Sequence, residues 1–304
     1  MRISSLYNSN AMLSQMSTNS TRLSKLMEQM STLKRINVPS DDPVAASRLV
    51  QLNREQSAID QYQSNITSLS GALSIQESNV DALNKQLLSL NDKLLSANNS
   101  THSQEDMAGY GAEIASMLDS LVATMNAKNE NGSYLFSGTK TDSETVSLDQ
   151  NGKYVYGGND STRETTVANG VTITENTHIA SAFSESGNDL AMLNKLKELS
   201  DKMQDPNANY ADYKDDIDAM LGSVQTSRDN IASIFTDLGG RQNRLTLLGD
   251  AHTDVSVANK QLISDLADTD EVTTSVNFQL YLQSVQITNK AYSMVSQLSL
   301  FSMM

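Results

Sequence analysis

Leu52, Ile59, Ile66, Leu73, Val80, Leu87 and Leu94 recur at every seventh position without a break. Leu69, Leu83, Leu90 and Ala97 join at the complementary positions, with Gln76 the one polar member of that line. Alternating steps of three and four place these side chains on one narrow stripe of a helix. A sheet cannot cover so narrow a stripe, so the chain must supply other long helices to run beside it. A helix from about 41 to 97 is roughly 85 Å long at 1.5 Å per residue, a rod rather than the helix of a compact globule.

A second seam lies downstream. Tyr213, Ile217, Met220, Val224, Ile231, Ile234, Leu238, Leu245, Leu248 and Val255 fit one heptad frame, with Ser227, Arg241 and His252 as polar members. This helix starts near Tyr210 and matches the first in length, so the two are expected to pair antiparallel. Gly239-Gly240 predicts a local bend. Shorter helices are expected over 103–127, with Ala108, Gly111, Ile114, Leu118, Leu121 and Met125 inward, and over 188–204, stopping before Pro206.

Between them the period changes. Residues 140–182 carry Gly and Asn at turn spacing with short β-prone runs. Tyr154-Val155-Tyr156 follows Asn151-Gly152, and Gly157-Gly158 marks a turn. Thr165-Thr166-Val167 and Val171-Thr172-Ile173-Thr174 flank Asn169-Gly170, a hairpin signal. A small antiparallel β insert buries too little by itself and must lean on the helices.

The chain ends form a third pattern. Leu6, Leu13, Met16, Leu23, Met27 and Met30 fall on steps of three and four, with Ser9 and Ser20 in the gaps. Leu280, Ile287, Ala291, Met294, Leu298 and Phe301 share one stripe at the other end. Half of the first 24 residues are Ser, Thr or Asn, which are weak helix formers, so helix is expected there only when docked. Isolated helices of this kind are marginal in water, and ordering each residue costs roughly 1–2 kcal/mol. Both ends are therefore expected to be unfolded or frayed alone and ordered on assembly. On pattern alone, outer helices of a monomeric bundle stand as an equal alternative.

Pro39-Ser40-Asp41-Asp42-Pro43 reads as a helix-start box. Ser40 is the expected N-cap, Asp41 and Asp42 favour the positive end of the helix dipole, and Pro43 is harmless in the first turn. A paired-carboxylate catalytic site would need an apolar pocket or partner base, and neither is visible.

Composition narrows the function classes. Absence of Cys excludes disulfides, thiolate metal sites and a Cys nucleophile. His102, His178 and His252 lie far apart, so no metal or cofactor is expected. A net charge of −14 disfavours nucleic acid as a partner. Neither a membrane-spanning run nor a signal-peptide core is present, so no membrane insertion is expected, and the chain is either cytoplasmic or exported by a route that needs no cleaved apolar signal. No Ser/His/Asp set and no Gly-rich phosphate loop is visible, so an enzyme is not expected. The acidic run from Asp212 to Asp218 fits a solvated helix face.

Several segments carry a family resemblance. They are Leu33-Lys34-Arg35-Ile36-Asn37, the Pro39–Pro43 box with Ala45-Ala46, Gly132-Ser-Tyr-Leu-Phe-Ser-Gly-Thr139, Asp237-Leu-Gly-Gly-Arg-Gln-Asn-Arg244, and Ser264-Asp265-Leu266-Ala267-Asp268-Thr269-Asp270. Taken together, the chain resembles the hook-associated protein 3 family of bacterial hook–filament junction proteins, in the flagellin superfamily. Thr177-His178, Thr32-Leu33-Lys34 and the last seven residues depart from the family pattern.

The resemblance implies a mainly α fold: a long antiparallel coiled-coil-like rod formed by the two halves, a small antiparallel β insert and amphipathic terminal helices. The corresponding domains are 1–40 with 265–304, 41–137 with 187–264, and 138–186. It implies type III export and a place in the extracellular flagellum at the hook–filament junction, in a ring of roughly eleven copies by family analogy. The implied partners are further copies of the chain, hook-associated protein 1, flagellin, and an export chaperone at the C-terminal helix. The polymerisation interface would be Leu6, Leu13, Met16, Leu23, Met27, Met30, Leu280, Ile287, Met294, Leu298 and Phe301. Flagellin itself is the alternative within the superfamily, and a secreted coiled-coil translocator of a virulence export system is the alternative outside it.

Overall fold

The computed structural model describes the backbone of residues 2–99 and 102–301, and the side chains of 7, 9–99 and 102–294. Leu6, Leu298 and Phe301 of the expected interface lie outside the described side chains. The chain is mainly α with a small antiparallel β insert. The helices are α1 (Arg2–Thr32), α2 (Pro43–Ala97), α3 (Gln104–Met125), α4 (Ala191–Gln204), α5 (Tyr210–Ala267) and α6 (Glu271–Phe301). The strands are β1 (Val146–Leu148), β2 (Tyr154–Tyr156), β3 (Glu164–Ala168) and β4 (Val171–Thr174). Two compact units result: a middle unit of residues 61–252, and an end unit of 1–60 with 253–304.

In the middle unit the heptads of α2 are buried as their spacing requires. Ile66, Leu73, Val80, Leu87 and Leu94 are buried, as are Leu69, Leu83, Leu90, Ala97 and the polar Gln76. The α5 stripe from Tyr213 to Leu245 faces them, and polar bonds fix the antiparallel register. Ser70 Oγ donates to Gln242 Oε1 at 2.9 Å, Gln242 Nε2 returns a bond to Ser70 O at 2.9 Å, and Asn98 Nδ2 donates to Asp218 Oδ1 at 2.8 Å. α5 is one continuous helix, so Gly239-Gly240 does not interrupt it.

α3 opens with a Ser103/Asp106 capping box and closes on α4 at Gly111. A Cβ there would lie 3.0 Å from Met203 Cβ and Ser200 O, which is why the approach needs glycine. Met107, rather than the expected Ala108, leads the buried face of α3.

The β insert consists of two separate hairpins, β1 with β2 and β3 with β4. Asn169-Gly170 turns the second, with Gly170 at φ +70°. Helix side chains take up that hairpin's backbone carbonyls. Asn65 Nδ2 donates to Thr166 O at 2.8 Å, Gln76 Nε2 to Glu175 O at 2.9 Å, and Arg241 Nη1 to Thr174 O and Asn176 O at 3.2 and 3.1 Å. His252 stacks on Tyr62 and its Nε2 lies 2.8 Å from Val167 O. Three polar members of the heptads, Gln76, Arg241 and His252, thus hold the insert where an apolar side chain could not.

In the end unit, Leu52 and Ile59 continue the α2 stripe, but the α5 side of the seam turns polar. Gln56 Nε2 donates to Ser256 Oγ at 2.7 Å, and Ser256 and Asn259 are buried. Val255, expected in the seam, is exposed. The physical reason is a register step: Leu248, His252 and Ser256 follow at two successive spacings of four, a stutter that rotates Val255 outward.

α1 and α6 pack on each other in this unit. Both ends are helical here, the state expected of them once docked. Docking supplies what propensity withholds: Asn19 Nδ2 donates to Ser284 Oγ at 3.2 Å, and Arg22 Nη1 to Tyr281 Oη at 2.9 Å. The pair remains thin, since Asn19 and Thr274 are its only fully buried residues among the described side chains.

Candidate assembly surface

The candidate surface is built on the link that joins α1 to α2 and α5 to α6. α1 is followed by Leu33, a non-glycine residue in the left-handed region at φ 54°. From there the two links run antiparallel as a short bridge. Arg35 N donates to Ala267 O at 2.6 Å and Thr269 N to Leu33 O at 3.1 Å. Lys34 Nζ pairs with Asp268 Oδ1 at 2.5 Å, and Arg35 Nη2 donates to Leu266 O at 2.9 Å. The Arg-Ile-Asn and Ala-Asp-Thr segments singled out in the sequence are thus the two sides of one bridge.

The helix-start box works differently from its expected form. Pro43 is the first residue of α2, and a residue preceding proline is steered away from helical backbone. The helix therefore cannot begin at Ser40, and Asp42 is the N-cap, its Oδ1 accepting from Ala45 N at 3.0 Å. Asp41 instead ties the preceding turn, accepting from Asn37 N and Val38 N and pairing with Lys25 Nζ at 2.8 Å.

All three carboxyls are held below the ordinary carboxylate range. For Asp41 the largest cause is the Lys25 ammonium, followed by the two backbone N–H groups. For Asp42 it is the Ala45 N–H, then the Arg35 guanidinium, and for Asp268 it is Lys34 and then Ser264. These groups are ion-paired anchors on solvated turns.

Apolar residues around this frame stay uncovered. On α6, Val272, Val276, Leu280, Ile287 and Met294 are exposed. At 100° per residue they fall within an arc of about 80°, away from the Tyr281 and Ser284 face that meets α1. On α1 the face toward α6 carries Asn19 with half-buried Met12, Met16, Leu23 and Leu26, while Leu13, Met27 and Met30 are exposed. The structure thus divides the sequence stripes: Met16 and Leu23 turn toward α6, Met30 lies on that same face but stays 38% exposed beside Val272 and Val276, and Leu13, Met27, Leu280, Ile287 and Met294 face solvent. Leu26 and Met12 share the inner face with Asn19, one position before the expected line of Leu13, Ser20 and Met27, whereas Met16 and Leu23 belong to both. A groove of about 480 Å³ lies between Met30, Leu33, Val272 and Val276.

Uncovered apolar stripes on paired end helices, set on a bridge of family-like segments, make comparison with known proteins informative. Residues 3–141 match the model of the bacterial flagellin N-terminal helical region. Flagellar hook-associated protein 3 of Escherichia coli strain K12 is 28% identical over 92% of both chains. That of Salmonella typhimurium is 26% identical, again over 92% of both. A solved structure of a flagellar hook-associated protein from Vibrio parahaemolyticus is 34% identical, covering 75% of this chain and 100% of its own, with a TM-score of 0.69. The chain belongs to the hook-associated protein family of the flagellin superfamily. Its role is that of a structural flagellar protein. The junction protein of Legionella pneumophila, at 17% identity and a TM-score of 0.58 over 72% of this chain, shares the fold.

Among the described residues no helix is long and apolar enough to cross a membrane, and no group of three metal-binding side chains occurs.

Proposed function

We propose that the chain is the ring-forming subunit at the hook–filament junction, with hook-associated protein 1 on one side and flagellin on the other. Copies, roughly eleven by family analogy, assemble by packing the uncovered stripes of α1 and α6 against neighbours. The chain leaves the cell through the flagellar type III route, and a chaperone covers the C-terminal helix before export. It performs no catalysis and works as a mechanical joint in the extracellular flagellum.

One observation carries this reading. The apolar stripe Val272, Val276, Leu280, Ile287 and Met294 stands in solvent on a helix whose other face is already occupied. Exposed apolar surface of this continuity marks an interaction site. The chain's similarity to hook-associated protein 3 over 92% of its length favours the junction over the filament.

Labelling the chain in sheared flagella tests the position. Signal confined to the filament base is the expected result. Signal along the whole filament would assign it to the filament subunit instead.

A further inference from the structure

Of the fourteen methionines, the eleven with described side chains differ in exposure between the two units, and the chain has no cysteine to intercept an oxidant. Met107, Met125, Met192, Met203 and Met220 of the middle unit are buried at 3% exposure or less, and Met117 is half-buried. No methionine of the end unit with a described side chain is buried. Met27 is 56% exposed, Met294 52% and Met30 38%, with Met12 and Met16 half-buried. The exposed three sit among the uncovered apolar residues of α1 and α6, and Met30 lines the groove with Leu33, Val272 and Val276.

Thioether oxidation follows access, so this distribution directs it to the α1–α6 pair. We propose that Met27 and Met30, near the bridge end of the α1–α6 pair, and Met294, toward its far end, are peroxide-sensitive positions whose oxidation switches off the assembly surface of the free subunit. The inference rests on the assembly reading above. Hydrogen peroxide or a hypohalous acid is the co-reactant. With peroxide, a sulfur lone pair forms the S–O bond, the O–O bond breaks and water leaves. Sulfur loses two electrons and the peroxide gains them. The product sulfoxide is polar and chiral where the thioether was apolar and pliable. A sulfoxide at Met30 places a strong dipole in the groove, and one at Met27 or Met294 interrupts its stripe. Buried methionines of the middle unit are spared, so the fold survives while the surface loses its apolar character. The change is reversible by methionine sulfoxide reductases, and it acts before assembly, while these sulfurs still meet solvent.

The test treats the full chain briefly with hydrogen peroxide and maps sulfoxides by mass spectrometry. Sulfoxide at Met27, Met30 and Met294 should exceed that at Met107, Met125, Met203 and Met220 by about ten-fold or more. Equal oxidation of the two groups overturns the inference. The treated chain is then added to hook-bearing cells that lack it, and restored filaments are counted. Each chain is scored by its own ratio after and before peroxide. For the native chain this ratio should fall about ten-fold and recover after reductase treatment. For a chain with M27L, M30L and M294L together it should stay near one. A native ratio near one, or an equal fall in the triple variant, overturns the inference. Unoxidised Ile287→Asp is the separating control. If it restores filaments, the assembly reading itself fails. If it does not, while oxidised native chain does, only the oxidation inference fails.

Discussion

Lys34 and Asp268 lie 234 positions apart, yet their side chains pair at 2.5 Å where α1 hands over to α2 and α5 to α6. The pair closes a bridge whose backbone bonds, Arg35 N to Ala267 O and Thr269 N to Leu33 O, carry the connection. Both side chains are more than two-fifths exposed, so solvent screens their attraction. A double-mutant cycle of Lys34→Ala and Asp268→Ala should give a coupling of about 0.2–1 kcal/mol that shrinks with added salt. A salt-independent coupling well above that range would make the ion pair, rather than the backbone, the anchor.

Core and surface apolar residues should separate cleanly in stability. Leu87 is fully buried on the α2 seam, so Leu87→Ala should cost about 2–5 kcal/mol in denaturant unfolding. Ile287 is 68% exposed, so Ile287→Ala should stay within about 0.5 kcal/mol of the native chain. Similar losses for the two would place Ile287 in a core.

Arg241 is the clamp that joins α5 to the second hairpin. Its guanidinium serves Thr174 O and Asn176 O and is held by Asp237 at 2.5 Å. Arg241→Ala leaves two carbonyls without their donor and should destabilise the middle unit by about 1–3 kcal/mol. Hydrogen exchange should rise first at the amides of β3 and β4. Unchanged exchange there would show that Asn65, Gln76 and His252 hold the hairpin without it.

His178 supplies the pH dependence. Both ring nitrogens are buried without a hydrogen-bond partner. Burial pushes its pKa below the usual 6.5, Arg241 adds to that and Asp160 opposes it. The folded chain therefore holds this proton less tightly than the unfolded one. Its contribution to stability is fully present above about pH 6.5 and is lost as the pH falls through the folded-state value. The melting temperature should drop between pH 8 and pH 5, and His178→Gln should flatten that slope. Equal slopes in the two chains would contradict this assignment.

The seams were legible because burial demanded them. Leu52 to Leu94 kept strict sevenfold spacing and every member is buried. Tyr154–Tyr156 and the Asn169-Gly170 hairpin were legible through turn chemistry. Other features depended on interactions that no local pattern contains. Ser40 has the right side chain for a cap, but Pro43 starts the helix and makes Asp42 the cap. Val255 has the right character for the seam, but the stutter at Leu248–Ser256 turns it outward. Ser and Asn dilute the apolar pattern of the ends, and their pairing was not legible because bonds such as Asn19 to Ser284 are part of what holds the helix pair together. For the candidate surface, the residue types were legible. Which of them would face α6 was not, because α1 and α6 offer apolar residues on more than one face.

The most direct measurement is the amount of Ile287→Asp chain in purified flagella relative to native chain, with the melting temperature of both measured alongside. A charged carboxylate on the solvent face of α6 leaves the free subunit's packing intact but cannot be buried against a neighbour without a partner. The result expected is an unchanged melting temperature with the variant absent from flagella. Native-level incorporation of the folded variant would contradict the assignment of α6 as the assembly surface.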